Sequence, residues 1–435
     1  MDHTLARYNA MDVLATRLIL RPLQEEAQEA QVHNFYHERV LPLAQAVQAM
    51  ARHGLHLDQA RRTGLIEEYQ AAQATARGAL PPDLNPNARR QVGQWIANTL
   101  KLPLSRVTPT GQAATDEDTL RFLAEKYQSL ELLRFLEYTE VSKLLGTYLV
   151  SLPLHEDGRV HCQWLVHGTA TGRLSSRRPN FQNQPRDIRV IYTAEPGWRL
   201  AEFDYDQIEL RLMAHLAQDV RLLESFATGR DEHGLNAQFL FDLDAPATKD
   251  GPTSGLRDFA KVPLYGVVLY GGSPRTIALD PRKLVGVPGG RKRVEEWSQW
   301  YFRQHPQIST WRQATMAQAA KAGRLYNWAG RIRIFFGHEH KRMRAACNFP
   351  IQSGAADIIN QALVAIHQAG KPACRVVAQI HDALLVEYRG EFPWWVQEIM
   401  ERSVEIDGRA FTVPVTPKDG TCWGELTHAH RARSQ

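Results

Sequence analysis

Asp204-Tyr205-Asp206-Gln207-Ile208-Glu209-Leu210-Arg211 is the stretch on which the fold turns. It follows an extended run, Trp198 to Phe203, and opens onto a helical pattern carried by Ile208, Leu212 and Leu216. A carboxylate where a strand turns into a helix sits at a mouth rather than in a core. A second such aspartate stands in Gln379-Ile380-His381-Asp382-Ala383, where the β-rich runs Arg375–Gln379 and Leu384–Tyr388 predict a tight hairpin with His381-Asp382 at its tip. Singly, Asp204 reads as a helix cap or surface charge and Asp382 as a turn former. Brought together, the two would bind a pair of divalent cations and drive in-line phosphoryl transfer.

Between them, Arg257, Lys261 and Tyr265 fall four residues apart. On a continuous helix they line one face over about 12 Å of axial rise. That length suits a triphosphate at the basic end and a sugar or base at the aromatic end, with Lys as point charge and Arg as forked donor. Arg and Lys at this spacing also describe a plain solvated face.

The bulk composition sets only broad bounds. A chain of 435 residues with 43% hydrophobic and 23% charged residues is ordinary for a globular protein of several domains. A net charge of +5 permits a polyanionic partner without demanding one. Four cysteines with no C-x-x-C pair argue against a disulfide framework or zinc site and fit a reducing compartment. No run is long and apolar enough for a membrane span and no signal-peptide pattern opens the chain, so no membrane partner and a cytoplasmic location are expected.

Along the chain, residues 1–35 carry a helical pattern of leucines, and 36–150 read as helices with short loops, Thr115-Asp116-Glu117-Asp118 resembling a capping box. Strands and turns begin near 151. The region 215–340 is helix-rich with a Gly/Pro/basic loop at Gly286–Lys292, and a small-residue helix from Ala355 to Ala365 leads to the hairpin.

These motifs together resemble the family A DNA polymerases, the DNA polymerase I group, and most closely its phage branch. DYDQIELR at 204–211 and QIHDALLV at 379–386 resemble the two palm motifs, and RDFAKVPLYGVVLYG at 257–271 the fingers-helix motif. TATGRLSSRRPNFQNQP at 169–185, RAACNFPIQSGAADII at 344–359, LNPNARRQVGQWI at 84–96 and TPTGQAATDEDTL at 108–120 match in the family's order.

The resemblance implies an α+β right hand with an antiparallel palm sheet, helical thumb and helical fingers. Its expected divisions are 1–35 as the end of an exonuclease domain and connector, 36–150 thumb, 151–230 palm, 231–340 fingers and 341–435 the rest of the palm. It implies template-directed addition of dNTPs to a primer 3′-OH, in replication, in a bacterial or phage-infected cell. Asp204 and Asp382, with the Tyr205 carbonyl, would hold two Mg²⁺ ions, for which Mn²⁺ can substitute. Gln207, His233, Arg257, Lys261 and Tyr265 would bind the incoming nucleotide, and Glu209 with Tyr270 would exclude a 2′-hydroxyl. Arg173, Asn180, Gln182, Asn183, Arg344, Asn348, Gln352 and His381 would contact primer–template DNA, several of them in the minor groove. Without the motifs, Asn180, Gln182 and Asn183 read as turn residues. His215 keeps its reading as a satisfied helix histidine. Gly337-His338-Glu339-His340 mimics a metal tract but fits a loop near the fingers.

The sequence departs from the family at three places. Ala383 stands where the family usually has glutamate after His-Asp, so activity is expected with weaker metal organisation. Pro263 lacks the N–H for the Phe259 carbonyl, and Tyr270 lies one residue farther from Lys261 than in the family; both predict a bulge around 262–269. Tyr8 and Asp12 match the last piece of a 3′–5′ exonuclease motif with no earlier carboxylates before them. The expectation is a chain without its own proofreading, with a separate 3′–5′ exonuclease polypeptide docking on 1–35. Two alternatives stand beside the polymerase: a single-subunit RNA polymerase or reverse transcriptase, against which Glu209 speaks, and a non-catalytic DNA-binding descendant, which would have lost some of Asp204, Asp382, Lys261 and Arg257.

Overall fold

The computed structural model describes residues 3–104, 113–249, 251–272 and 287–431. The aspartates belong to a five-stranded sheet of β1 (Arg199–Tyr205), β2 (Cys374–Ile380), β3 (Ala383–Tyr388), β4 (Val415–Gly420) and β5 (Thr427–His428). The strand order is β5-β4-β1-β3-β2 and every pairing is antiparallel. β1 is therefore central, and its apolar residues Leu200, Ala201 and Phe203 are fully buried, as a strand covered on both sides requires.

The longer helices are α1 (His3–Glu29), α2 (Leu41–His53), α3 (Gln59–Gly78), α4 (Glu117–Tyr127), α5 (Leu130–Lys143), α6 (Ile208–Ala217), α7 (Glu232–Phe241), α8 (Ser254–Pro263), α9 (Gly290–Gln304), α10 (Pro306–Ala322) and α11 (Glu339–Ala369). Three larger apolar cores result. Leu43, Val47 and Met50 of α2 and Ile358, Ile359 and Leu363 of α11 pack with the sheet. Leu210, Leu240, Leu264, Trp297 and Tyr301 join α6, α7, α9 and the segment after α8. Leu120, Leu123, Leu132 and Phe135 join α4 to α5. Helix α1 stands outside all three, with Leu5, Tyr8, Met11, Leu14, Leu18 and Leu23 exposed.

Several boundaries differ from the sequence expectation. The helix expected from Ala355 begins at Glu339 and runs through Pro350; burial of Ala346, Cys347, Phe349 and Ile351 carries the chain across the missing amide. Of the Gly286–Lys292 loop, Gly286 lies outside the described residues, and α9 already starts at Gly290. The cap of α4 is Asp116, whose carboxylate accepts from the Thr119 N–H, rather than Thr115; of the stretch 108–120, residues 108–112 lie outside the described residues. The bulge at 262–269 is present: α8 ends at Pro263 and the chain continues as a π-helical turn over Leu264–Leu269. Gly354 lets α11 approach α6, since a Cβ there would lie 2.6 Å from Leu212 Cδ2.

Candidate active site

β1 ends at Tyr205, Gln207 takes a left-handed φ of 54°, and α6 starts at Ile208, so the chain reverses directly after Asp204. On the neighbouring hairpin His381, with φ 54°, and Asp382 make the two-residue connection between Ile380 and Ala383. The register sets Asp204 opposite Ala383, and the Tyr205 N–H donates to the Asp382 carbonyl at 3.1 Å. The two aspartates thus meet at one end of the sheet. They open onto a cavity of about 820 Å³ whose lining includes Gln207, His233, Arg257, Lys261 and Tyr265.

The Asp204 carboxylate accepts no hydrogen bond and makes no ion pair among the described residues. Burial, then the charge of Glu202, pushes its pKa up to about 6, with Asp382 and Asp206 adding and Lys418 opposing. A cation would relieve all of these. Asp382 has the Arg173 guanidinium at 3.4 Å. The Tyr205 ring points into the core, its hydroxyl donating to the Met400 carbonyl at 2.7 Å, so only its backbone faces the aspartates. No group of three or more His, Cys, Asp or Glu among the described residues is arranged to hold a metal. Two carboxylates nevertheless fit Mg²⁺, which keeps several waters and takes substrate phosphate oxygens rather than a closed protein cage.

Glu209, 3% exposed, is clamped between the Arg173 guanidinium and the Tyr270 hydroxyl, which donates to Oε2 at 2.7 Å. Tyr270 reaches it because of the π-helical turn: its N–H bonds to the Tyr265 carbonyl five residues back, at 2.9 Å. The extra residue noted in the sequence is absorbed there, and both tyrosines face the site. Burial raises the Glu209 pKa and Arg173 opposes it.

The opposite wall is cationic, yet Arg257 and Lys261 are already held. Arg257 grips Asp231 with two bonds, Nε–Oδ2 at 2.6 Å and Nη2–Oδ1 at 3.1 Å, and Lys261 pairs with Asp258 at 2.7 Å. His233, 2% exposed, stacks on Tyr265 with centroids 6.2 Å apart, and its Nδ1 has no partner. Burial, then Arg257 and Lys261, lowers its pKa to about 4, so it is neutral at pH 7.

Of the expected DNA contacts, His381 lines this cavity and the other seven do not. Arg173 faces inward, to Glu209 and Asp382. Asn180 accepts from the Ser176 hydroxyl at 3.1 Å, and the Gln182 amide donates to the Leu174 carbonyl at 2.9 Å, so these two also serve the local turn. Asn183, His381 and Arg344 are exposed, whereas Asn348 and Gln352 are half-buried, with Asn348 Oδ1 unpartnered. His215 is a satisfied core histidine, its Nε2 at 3.2 Å from the Ile406 carbonyl. His338 caps α11, and no metal cluster forms there among the described residues. Sequence reasoning missed Glu202, Asp231, Arg189 and Lys418. The alternation Glu202-x-Asp204-x-Asp206 was the available signal for the first.

Residues 57–425 match the sequence model of DNA polymerase family A. The chain belongs to that family. It is 32% identical over 399 residues to a thermostable DNA polymerase I of Thermus filiformis, covering 86% of this chain and 46% of that one. To DNA polymerase I of Pseudomonas aeruginosa it is 33% identical over 389 residues, covering 83% and 40%. The chain therefore spans about half the length of these curated relatives. A solved structure of the POL domain of Pol1 from M. smegmatis, in complex with DNA primer-template and dNTP, matches with a TM-score of 0.79 at 28% identity, covering 92% of this chain and 73% of that one. The fold of this family A chain is accordingly α+β, of the right-hand polymerase kind, with the aspartates on its antiparallel sheet.

Proposed function

We propose that the chain is a template-directed DNA polymerase that joins dNTPs to a primer 3′-OH by two-metal phosphoryl transfer, in DNA replication. The observation that carries this is the meeting of Asp204 and Asp382 in a cavity whose far wall holds Arg257, Lys261 and Tyr265. Asp204, Asp382 and the Tyr205 carbonyl are the groups that would hold two Mg²⁺ ions, which would supply activation of the primer hydroxyl and charge neutralisation at the leaving pyrophosphate.

The protein's own residues do the rest. Arg257 and Lys261 exchange Asp231 and Asp258 for phosphate oxygens, and neutral His233 donates one ring N–H to the same triphosphate. Gln207, whose Oε1 is buried without a partner, completes the nucleotide contacts. Glu209, fixed by Arg173 and Tyr270, stands against the sugar C2′ and rejects a 2′-hydroxyl by crowding and by its lack of freedom to move. Tyr265 stacks at the sugar, so dideoxynucleotides are tolerated; Tyr265→Phe is expected to lower their incorporation, and unaltered incorporation would mean the register of the π-helical turn is misassigned. Arg344, Asn348, Gln352, His381, Asn180, Gln182 and Asn183 track the primer–template, with Arg and Gln testing the minor-groove acceptors that every correct pair presents.

In this proposal residues 36–150 are the thumb, 151–230 with 341–435 the palm, and 231–340 the fingers. The phage-like branch and the bacterial or infected host cell rest on sequence resemblance, and the reducing, cytoplasmic compartment on cysteine usage. A separate 3′–5′ exonuclease polypeptide would dock on residues 1–35; the exposed apolar side chains of α1, each from 47% to 66% exposed at Leu14, Tyr8, Leu18, Met11 and Leu23, support it. Mixing the two polypeptides should give association and excision of a mismatched primer end, and neither effect would remove this partner. Extension of a labelled primer by the purified chain with dNTPs, rNTPs or the Asp204→Asn variant tests the main proposal. Equal use of rNTPs, or full activity of Asp204→Asn, would overturn it.

A further inference from the structure

The strand neighbours of Asp204 and the nearby Arg173 give it no partner among the described residues. Ala383 lies opposite it on β3 and offers nothing. Thr416 lies opposite it on β4, but its hydroxyl donates to Asp206 Oδ1 at 2.7 Å. Arg173 is taken by Glu209 and reaches only Asp382. That leaves Lys418, two residues along β4 from Thr416 and on the same face.

A lysine in a sheet can reach both the residue directly opposite and the diagonal neighbour. For Lys418 the first is Glu202 and the second is Asp204. Its ammonium sits on Glu202 Oε1 at 2.6 Å. The other oxygen, Oε2, accepts the Trp423 indole N–H at 3.1 Å, and the Trp423 ring in turn carries the Arg189 guanidinium at 4.4 Å. Glu202 is 8% exposed and Trp423 3%, so this anchor is fixed from behind. Lys418, Glu202 and Asp204 all line the same cavity.

We infer that Glu202 is a positioning residue: it holds the Lys418 ammonium off Asp204 and so leaves that carboxylate bare for a cation, which rests on Asp204 being the metal ligand proposed above. Without the Glu202 charge, the nearest anion for Lys418 is Asp204 itself. The ammonium would then compete with metal for the same oxygens. Glu202 does not touch the reacting atoms in this scheme; it acts through the lysine.

The test uses Mn²⁺ binding to the full chain, read by electron paramagnetic resonance of the free ion, with a dideoxy-terminated primer–template and dNTP so that no turnover occurs. Glu202→Gln keeps the shape and an acceptor for Trp423 while removing the charge. It is expected to weaken Mn²⁺ binding by about tenfold. Lys418→Met should bind at least as tightly as wild type, and the double variant Glu202→Gln/Lys418→Met should return to wild-type affinity. A purely structural ion pair would lower thermal stability in both single variants and leave Mn²⁺ binding alone, which overturns the inference. So does a double variant as weak as Glu202→Gln, since Glu202 would then contribute its own charge and not the placement of the lysine. If Glu202→Gln does not fold, weaker binding by Lys418→Met alone overturns it. Asp204→Asn in the same assay separates the two ideas: wild-type Mn²⁺ binding there would remove the metal reading itself, whatever Glu202 does.

Discussion

The two ends of strand β3 treat carboxylates, one buried and one half-buried, in opposite ways. At its far end Glu387, 0% exposed, receives Arg159 Nη2 at 2.6 Å, Arg375 Nε at 2.8 Å and the Glu195 N–H at 2.7 Å. Arg375 is itself held over the Trp198 ring at 4.3 Å. At its near end Asp204, opposite Ala383, has no such partner, and its neighbours are tied to other groups. Both acids sit in one sheet, within a few residues of the same strand. Their surroundings differ because one charge is compensated within the fold and the other is not. A buried acid wired on every oxygen holds the sheet together; one left bare next to a cavity is a candidate for chemistry.

The sharpest way to break this contrast is to neutralise each acid in turn. Asp204→Asn should lower the primer-extension rate on the order of 10³-fold or more, since charge stabilisation at the reacting centre is lost. Its melting temperature without metal should equal or exceed wild type, because an unpaired, half-buried charge is removed. A drop in stability together with retained activity would reverse the roles assigned to the two ends.

Glu387→Gln should do the opposite. Removing one member of a buried ion cluster strands two guanidinium groups and should cost about 3 kcal/mol in a denaturant titration, with extension by the remaining folded protein near wild type. Loss of extension without loss of stability would mean that this cluster communicates with the site.

pH separates the ends more gently. Asp204 is the carboxylate raised in the folded chain, to about 6, above its value in the unfolded chain. The folded state therefore binds the proton more tightly, and the stability this contributes is present at low pH and lost as pH rises through about 6. In chelator, the melting temperature of Asp204→Asn relative to wild type should thus climb between roughly pH 4 and 7, and Mg²⁺ should abolish the trend. A flat difference would mean that Asp204 is not the strained acid.

The smallest expected effect comes from adding charge to the bare end. Ala383→Glu should raise apparent Mg²⁺ affinity several-fold while changing the maximal rate little, as supporting groups around metal ligands do. Unchanged activity and Mg²⁺ dependence would show that residue 383 is irrelevant to metal organisation here.

Much of the site was legible in the linear chain. Asp204 and Asp382 stood at turns flanked by strand patterns, and Arg257, Lys261 and Tyr265 kept helical spacing. Pro263 and the extra residue before Tyr270 announced a bulge, which the π-helical turn over Leu264–Leu269 provides. Such features are local: they depend on strand alternation, helix period and one missing N–H. The charge pairs were not legible. Asp231 with Arg257 is 26 residues apart, Arg173 with Glu209 36, and Glu202 with Lys418 216. The last pairing depends on which strands adjoin and in what register, since a shift of one residue would turn each side chain to the other face; the first two depend on how helices and a loop come together in the fold.

Residue types and their short-range spacing were enough to establish the chemistry on offer: two acids at turns, a basic-to-aromatic helix face, and a proline that bends it. Which acids are free to act was settled by packing, because partners recruited from distant strands consume some charges and spare others. Free energy explains the division. A carboxylate's availability depends on every group that competes for it within a few ångströms, and those groups assemble only when the sheet closes.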